Sequence, residues 1–242
     1  MTTVELDPVD PNARGIWRNA LDLMGQLEGD WTLIGGLMVQ LHAERYDGVG
    51  ARPTNDIDIL ANSRTRPSYT ERISEKLTHL GYQLSAPAGF DRGTAYRFRR
   101  DDEIVDVLGP DGVGANPPRT VGNLETIQVE GGTQALSRTE PVVVRLDGNE
   151  TEIRCPSLLG AILLKSRSVT NKKRDQDRED LIRLLTCVHD PRAMSAELKA
   201  GERRWLLNAQ KKLDVDDPDL TRLFSAEQIR LARVTYRLLV VG

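Results

Sequence analysis

The chain alternates between short apolar segments and longer stretches with near-helical apolar spacing. In Asn12 to Gln26, the residues Ile16, Trp17, Ala20, Leu21, Leu23 and Met24 recur at helical spacing, with Asn12 in the N-cap position. Trp31 to Ile34 reads as a short buried strand. Leu37 to Glu44 reads as a helix, followed by a glycine-rich loop from Asp47 to Ala51. Asp56 to Leu60 alternates strictly, predicting a second strand with Ile57 and Ile59 on one face and two acids on the other. An amphipathic helix over Pro67 to Leu80 is ended by Gly81. Three strands are predicted next, at Tyr82 to Ser85, Ala95 to Arg99 and Glu103 to Leu108. Gln134 to Leu136 and Val142 to Leu146 read as further strands of the same mixed sheet.

The pattern changes at Pro156-Ser157, after which it is helical: Leu158 to Ser168, Asp177 to Val188, Arg192 to Leu213 and Ala226 to Leu239. This predicts an α+β protein. A mixed-sheet domain with helices spans residues 1–150, and an all-helical lobe spans residues 151–242.

Composition changes this picture little. The 242 residues are enough to bury a proper core, and a net charge of −3 does not mark a general nucleic-acid binder. Cys155 and Cys187 have no metal-ligand company at motif spacing and read as reduced thiols, the expectation for a cytoplasmic protein. Met1 to Pro11 lacks the apolar core of a signal peptide, and no apolar run approaches the length of a membrane span.

The chemistry is concentrated in a few places. Gly35-Gly36 follows the first apolar strand, giving a turn without Cβ atoms where backbone N–H groups can approach phosphates. Asp56 and Asp58 project from one strand face and repel each other unless a cation lies between them. Hard oxygen ligands at this spacing suit Mg²⁺ carrying nucleotide phosphates. A two-metal site needs a third carboxylate from a neighbouring strand, and Asp106, flanked by Val105 and Val107, supplies one. Lys165 is the first charge after the apolar run Leu158 to Leu164, so its head is expected to leave the core toward the cleft. Asp177 and Asp180 share a face of the next helix. The histidines have no partners at ligand spacing, the tryptophans read as core, and Gly48-x-Gly50 is a loop rather than a dinucleotide fingerprint.

In this order and spacing, Gly35-Gly36, Arg52, Thr54, Asp56, Asp58, Asp106, Lys165 and Asp177-Arg-Glu-Asp180-Leu181 resemble the AbiEii-like toxin nucleotidyltransferases. That group includes the mycobacterial MenT proteins and belongs to the DNA polymerase β-type nucleotidyltransferase superfamily. The superfamily often has Gly-Ser at the first turn, where Gly36 stands here. Asp177 follows Asp175-Gln176 rather than an arginine, which leaves open whether Asp175, Asp177 or Asp180 fills the family's C-terminal acidic position.

The resemblance implies a nucleotidyltransferase core and a helical lobe closing a cleft. Asp56, Asp58 and Asp106 would hold two Mg²⁺ ions, with Mn²⁺ as a substitute. Lys165, Arg52 and Thr54 would contact the phosphates of an NTP, and Asp177 would join the catalytic set. The implied acceptor is an RNA end, notably that of tRNA, and the implied setting a toxin beside a cognate antitoxin. Arg92, Arg97, Arg99, Arg100 and Lys172 to Arg174 are the basic residues available to an RNA groove. The alternatives are transfer to a small molecule or a protein hydroxyl, and a catalytically silent fold used as a regulatory module.

Overall fold

The computed structural model describes residues 3–50, 52–85, 94–114, 117–171, 175–213 and 218–242. It divides into two compact units. The first takes the chain up to Met38 together with Pro53–Pro156; the second takes Val39–Arg52 with Ser157–Gly242. Among the described residues, no helix is long and apolar enough to cross a membrane.

The first unit begins with β1 (Thr3–Leu6) and α1 (Pro11–Met24). Asp10, not Asn12, caps α1: its side chain accepts from the Asn12 N–H, and Pro11 takes the first turn, where a missing N–H costs nothing. β2 (Trp31–Ile34) runs directly into α2 (Gly35–Arg45), so the Gly-Gly pair is the first turn of the helix itself. β3 (Asp56–Ala61), α3 (Tyr69–His79), β4 (Gln83–Ser85), β5 (Arg97–Arg100) and β6 (Glu103–Pro110) follow. β7 (Gln128–Val129), α4 (Gly132–Ser137), β8 (Thr139–Leu146) and β9 (Asn149–Pro156) complete the unit.

The larger sheet has the strand order β2-β3-β6-β5-β4, with β7 added beside the end of β6. β3 and β6 run parallel and the other neighbours on this path run antiparallel, which gives a mixed sheet as the pattern predicts. Leu33, Ile57, Ile59, Phe98, Val105 and Val107 are almost wholly buried within it, and Trp17 and Trp31 lie in the same unit's core.

Two expectations are corrected here. Val142 to Leu146 does not extend this sheet. It belongs to β8, in a separate three-stranded sheet of order β1-β8-β9 whose hairpin turns at Asp147-Gly148, both at positive φ. Residues 134–136 are helical, not extended, because the Asp111 carboxylate accepts from the N–H groups of Gly131 and Thr133 and fixes the first turn of α4. β9 carries extended chain through to Pro156, so residue 150 falls inside that strand.

The second unit is helical beyond Ser157: α5 (Leu158–Asn171), α6 (Asp175–Thr186), α7 (Pro191–Ala196), α8 (Ala200–Leu213), α9 (Pro218–Leu223) and α10 (Ala226–Val241). The single helix expected over Arg192 to Leu213 is two, α7 and α8. α5 packs on α6 and α8, and α10 packs on α6, α7 and α8. Trp205, expected in the core, is only half-buried and lies under the Arg167 guanidinium, 5.0 Å from the ring centroid.

Candidate active site

The alternation of β3 turns Asp56 and Asp58 to the face opposite Ile57 and Ile59. β6 pairs with β3 in parallel register, which sets Asp106 directly beside Asp58. One oxygen from each of Asp56, Asp58 and Asp106 lies within 4.8 Å of the others. Asp56 and Asp58 are half-buried, whereas Asp106 is only 5% exposed. Burial raises the Asp106 carboxyl above its ordinary value, and the Arg97 guanidinium offsets part of that rise. Three acids brought this close in an apolar sheet form a hard-oxygen donor set that a divalent cation would satisfy.

The glycine turn is built against these carboxylates. Gly35 sits at φ +72°, and a Cβ there would lie 1.8 Å from Oδ2 of Asp58. A Cβ on Gly36 would lie 2.7 Å from the Cβ of Thr54. Both positions therefore require glycine, one for Asp58 and one for Thr54. Thr54 Oγ1 in turn donates to Asp56 Oδ1 at 2.7 Å, which fixes that carboxylate. Beside Thr54, a groove of about 580 Å³ is lined by Asn12, Gly15, Ile16, Asn55 and Glu103 among others.

Arg97 joins the acid cluster, a contact that sequence reasoning missed. It faces Asp106 across the antiparallel β5–β6 pair and donates Nε to Oδ1 at 2.8 Å and Nη2 to Oδ2 at 2.7 Å. The same Nη2 lies 3.8 Å from Asp56 Oδ2. Its pKa is raised, first by the bond to Asp106. Arg97 is thus held by the acid cluster. The signal for this role is the register of β5 on β6, which local composition does not encode. Of the other basic candidates, Arg100 pairs with Glu103 at 2.8 Å and stacks on Tyr82, while Arg99 is exposed. Arg92 and Lys172 to Arg174 lie outside the described residues.

Lys165, Asp177, Asp180 and Arg52 form a cluster of their own in the second unit. Lys165 Nζ lies 2.7 Å from Asp180 and 3.1 Å from Asp177, and the Arg52 guanidinium lies 3.2 Å from Asp180. The expectation that the Lys165 head leaves the core is overturned: the residue is 7% exposed. Burial acts to lower its pKa, but the Asp180 and Asp177 carboxylates outweigh burial, and the pKa is raised. Asp180 is completely buried between the two cations, which gives it the central place in this network; the side chain of Asp175 lies outside the described residues.

No protein-family model matches the chain, and no curated protein does. Solved structures do. An antigenic nucleotidyltransferase-like protein from Paracoccidioides brasiliensis is similar over 93% of this chain and 95% of its own, with a TM-score of 0.50 and 14% identity. The solution structure of the antibiotic-resistance factor ANT(2'')-Ia is similar over 95% and 93%, with a TM-score of 0.39 and 14% identity. The first likeness shows the fold: an α+β architecture shared with a nucleotidyltransferase-like protein, helices at the C-terminal end included.

Proposed function

We propose that the protein is a divalent-metal-dependent nucleotidyltransferase. It would move a nucleoside monophosphate from an NTP to an acceptor hydroxyl and release pyrophosphate. The observation that carries this reading is the meeting of Asp56, Asp58 and Asp106, with oxygens within 4.8 Å of one another, at the Gly35-Gly36 turn. The shared fold supports it.

The donor set fits Mg²⁺ or Mn²⁺, being all carboxylate and already gathered on one sheet face. Bound there, the ion would neutralise charge on the phosphates of the NTP. Asp56 and Asp58 would hold the ion that accompanies the triphosphate. Asp106 would help hold a second, and its carboxylate oxygen would orient or accept the proton of the attacking hydroxyl. Thr54 keeps Asp56 in position. The glycine turn at the start of α2 would bring backbone N–H groups to the phosphates. Arg52 and Lys165 already carry carboxylate partners, so either would reach a phosphate only by exchanging them. Attack is in line at the α-phosphorus, and the protein forms no covalent bond with the nucleotide.

The motif resemblance extends the reading to its finer form: the acceptor is an RNA end, tRNA first, and the protein acts as a toxin controlled by a cognate antitoxin. The test incubates the protein with Mg²⁺, total tRNA and each of the four labelled NTPs, beside Asp56→Ala. Label on RNA above the variant supports this form. Label on a protein or small-molecule hydroxyl keeps the chemistry and replaces the acceptor. No label above the variant on any acceptor overturns the enzyme.

One observation favours a second reading. Arg97 pairs with Asp106 and lies near Asp56, as in a fold that has traded its metal for an internal cation and serves as a regulatory module. Absence of divalent-ion binding by the folded protein would favour that module.

A further inference from the structure

We propose that Arg97 is the resident counter-cation of the carboxylate cluster, that Arg97 and a divalent ion exclude each other from it, and that the displaced guanidinium passes to the phosphates of the NTP. This inference rests on the metal-site reading above and adds a residue to it.

The geometry is specific. Asp106 and Arg97 are register partners on adjacent strands, and so are Asp106 and Asp58, so all three side chains stand in a row on one sheet face. Both oxygens of Asp106 accept from the Arg97 fork, at 2.8 and 2.7 Å. The nitrogen bonded to Oδ2 also lies 3.8 Å from Asp56 Oδ2. A single guanidinium nitrogen therefore sits between two of the three carboxylates, in the position of charge that an ion shared by them would take. Mg²⁺ binds carboxylate oxygen at about 2.0–2.1 Å. Ligated by the same oxygens, it would face the guanidinium at close range beside a buried acid, where like charges are poorly screened.

Arg97 is also not sealed in. Its side chain keeps 27% exposure and has the Tyr96 ring 5.8 Å away, whereas a cation serving only to neutralise a core acid would be enclosed. Its planar fork matches a phosphate as well as a carboxylate, so departure from Asp106 costs least when an anion arrives with the metal. The pair would thus hold the cluster together before loading and complete the charge balance afterwards.

The test compares wild type, Arg97→Gln and Arg97→Lys at pH 8. Affinity for Mn²⁺ alone is measured by titration calorimetry, then again with a non-hydrolysable NTP analogue present. The proposal expects shifts of opposite sign. Arg97→Gln binds Mn²⁺ alone about 10-fold tighter and the Mn²⁺–analogue pair about 10-fold weaker, with Arg97→Lys between, changes of the size seen when groups next to a metal site are altered. Mn²⁺ binding that is equal or weaker in Arg97→Gln overturns the exclusion and leaves the metal site standing. Tighter Mn²⁺ with unchanged analogue binding overturns the passage to phosphate.

Should Arg97→Gln fail to fold, the wild-type protein answers by NMR. The Arg97 Nε–H resonance must move during Mg²⁺ titration, and a resonance that stays still while Mg²⁺ binds overturns the proposal. No Mn²⁺ binding by any folded form removes the metal-site reading itself.

Discussion

The first residue of α2 is pressed against the second carboxylate of β3: a Cβ on Gly35 would stand 1.8 Å from Oδ2 of Asp58. With φ at +72°, an alanine there is strained before the clash is counted. Gly35→Ala is expected to lower stability by about 1–3 kcal/mol and to remove divalent-ion binding by displacing Asp58. Chemical denaturation and calorimetry measure the two effects separately. A variant that folds and binds Mn²⁺ as wild type does would show that Asp58 is not a ligand.

Thr54 offers a finer probe, because its hydroxyl donates to Asp56 at 2.7 Å while its Cβ fills the space where a side chain at Gly36 would go. Thr54→Val keeps the shape and loses the donor. It should weaken metal affinity about 10- to 100-fold, the range for partners of metal-ligating side chains, at a cost to stability of about 1 kcal/mol. Thr54→Ser should restore most of the affinity. Equal affinities across the three proteins would mean that the hydrogen bond has no part in holding Asp56.

The Lys165 network gives a pH signature. The Lys165 pKa is raised above 10.5, so its pairing with Asp180 and Asp177 contributes fully below the unfolded value near 10.5 and is lost as pH climbs through the higher folded value. Lys165→Met leaves a fully buried carboxylate short of a partner and should cost about 3–5 kcal/mol at neutral pH. Urea midpoints should show the gap between wild type and variant narrowing above about pH 10.5. A gap that stays constant to pH 12 would contradict the pairing.

The parts of the site that obey a short period were legible in the chain. Asp56-Ile-Asp58-Ile alternates with period two, and an acid between Val105 and Val107 stands out in any apolar strand. What the reading lost depended on partners far along the chain. Arg97 reads as one more surface cation until β5 is laid antiparallel on β6. Residues 134–136 read as a strand because the carboxylate that starts their helix belongs to Asp111. The β8–β9 hairpin is different. Asp147-Gly148 between alternating segments is a local signal for it, with both residues at positive φ.

A control for all of these lies in α1. Gly15 is inside the helix, and a Cβ there would meet nothing within 4 Å. Gly15→Ala should therefore raise stability by about 0.5–1 kcal/mol without affecting metal affinity, as thermal melts and calorimetry would record. A loss of nucleotide binding in that variant would instead assign the adjoining groove to the substrate.

Asp58 and Asp106 face each other from hydrogen-bonded neighbours in the interior of a sheet, so the gap between their carboxyls is a gauge cut by backbone spacing. Loops around them are free to vary and change what is admitted. The gauge itself alters only if the ladder breaks, so any ion held there would be chosen by the one part of the molecule least able to drift.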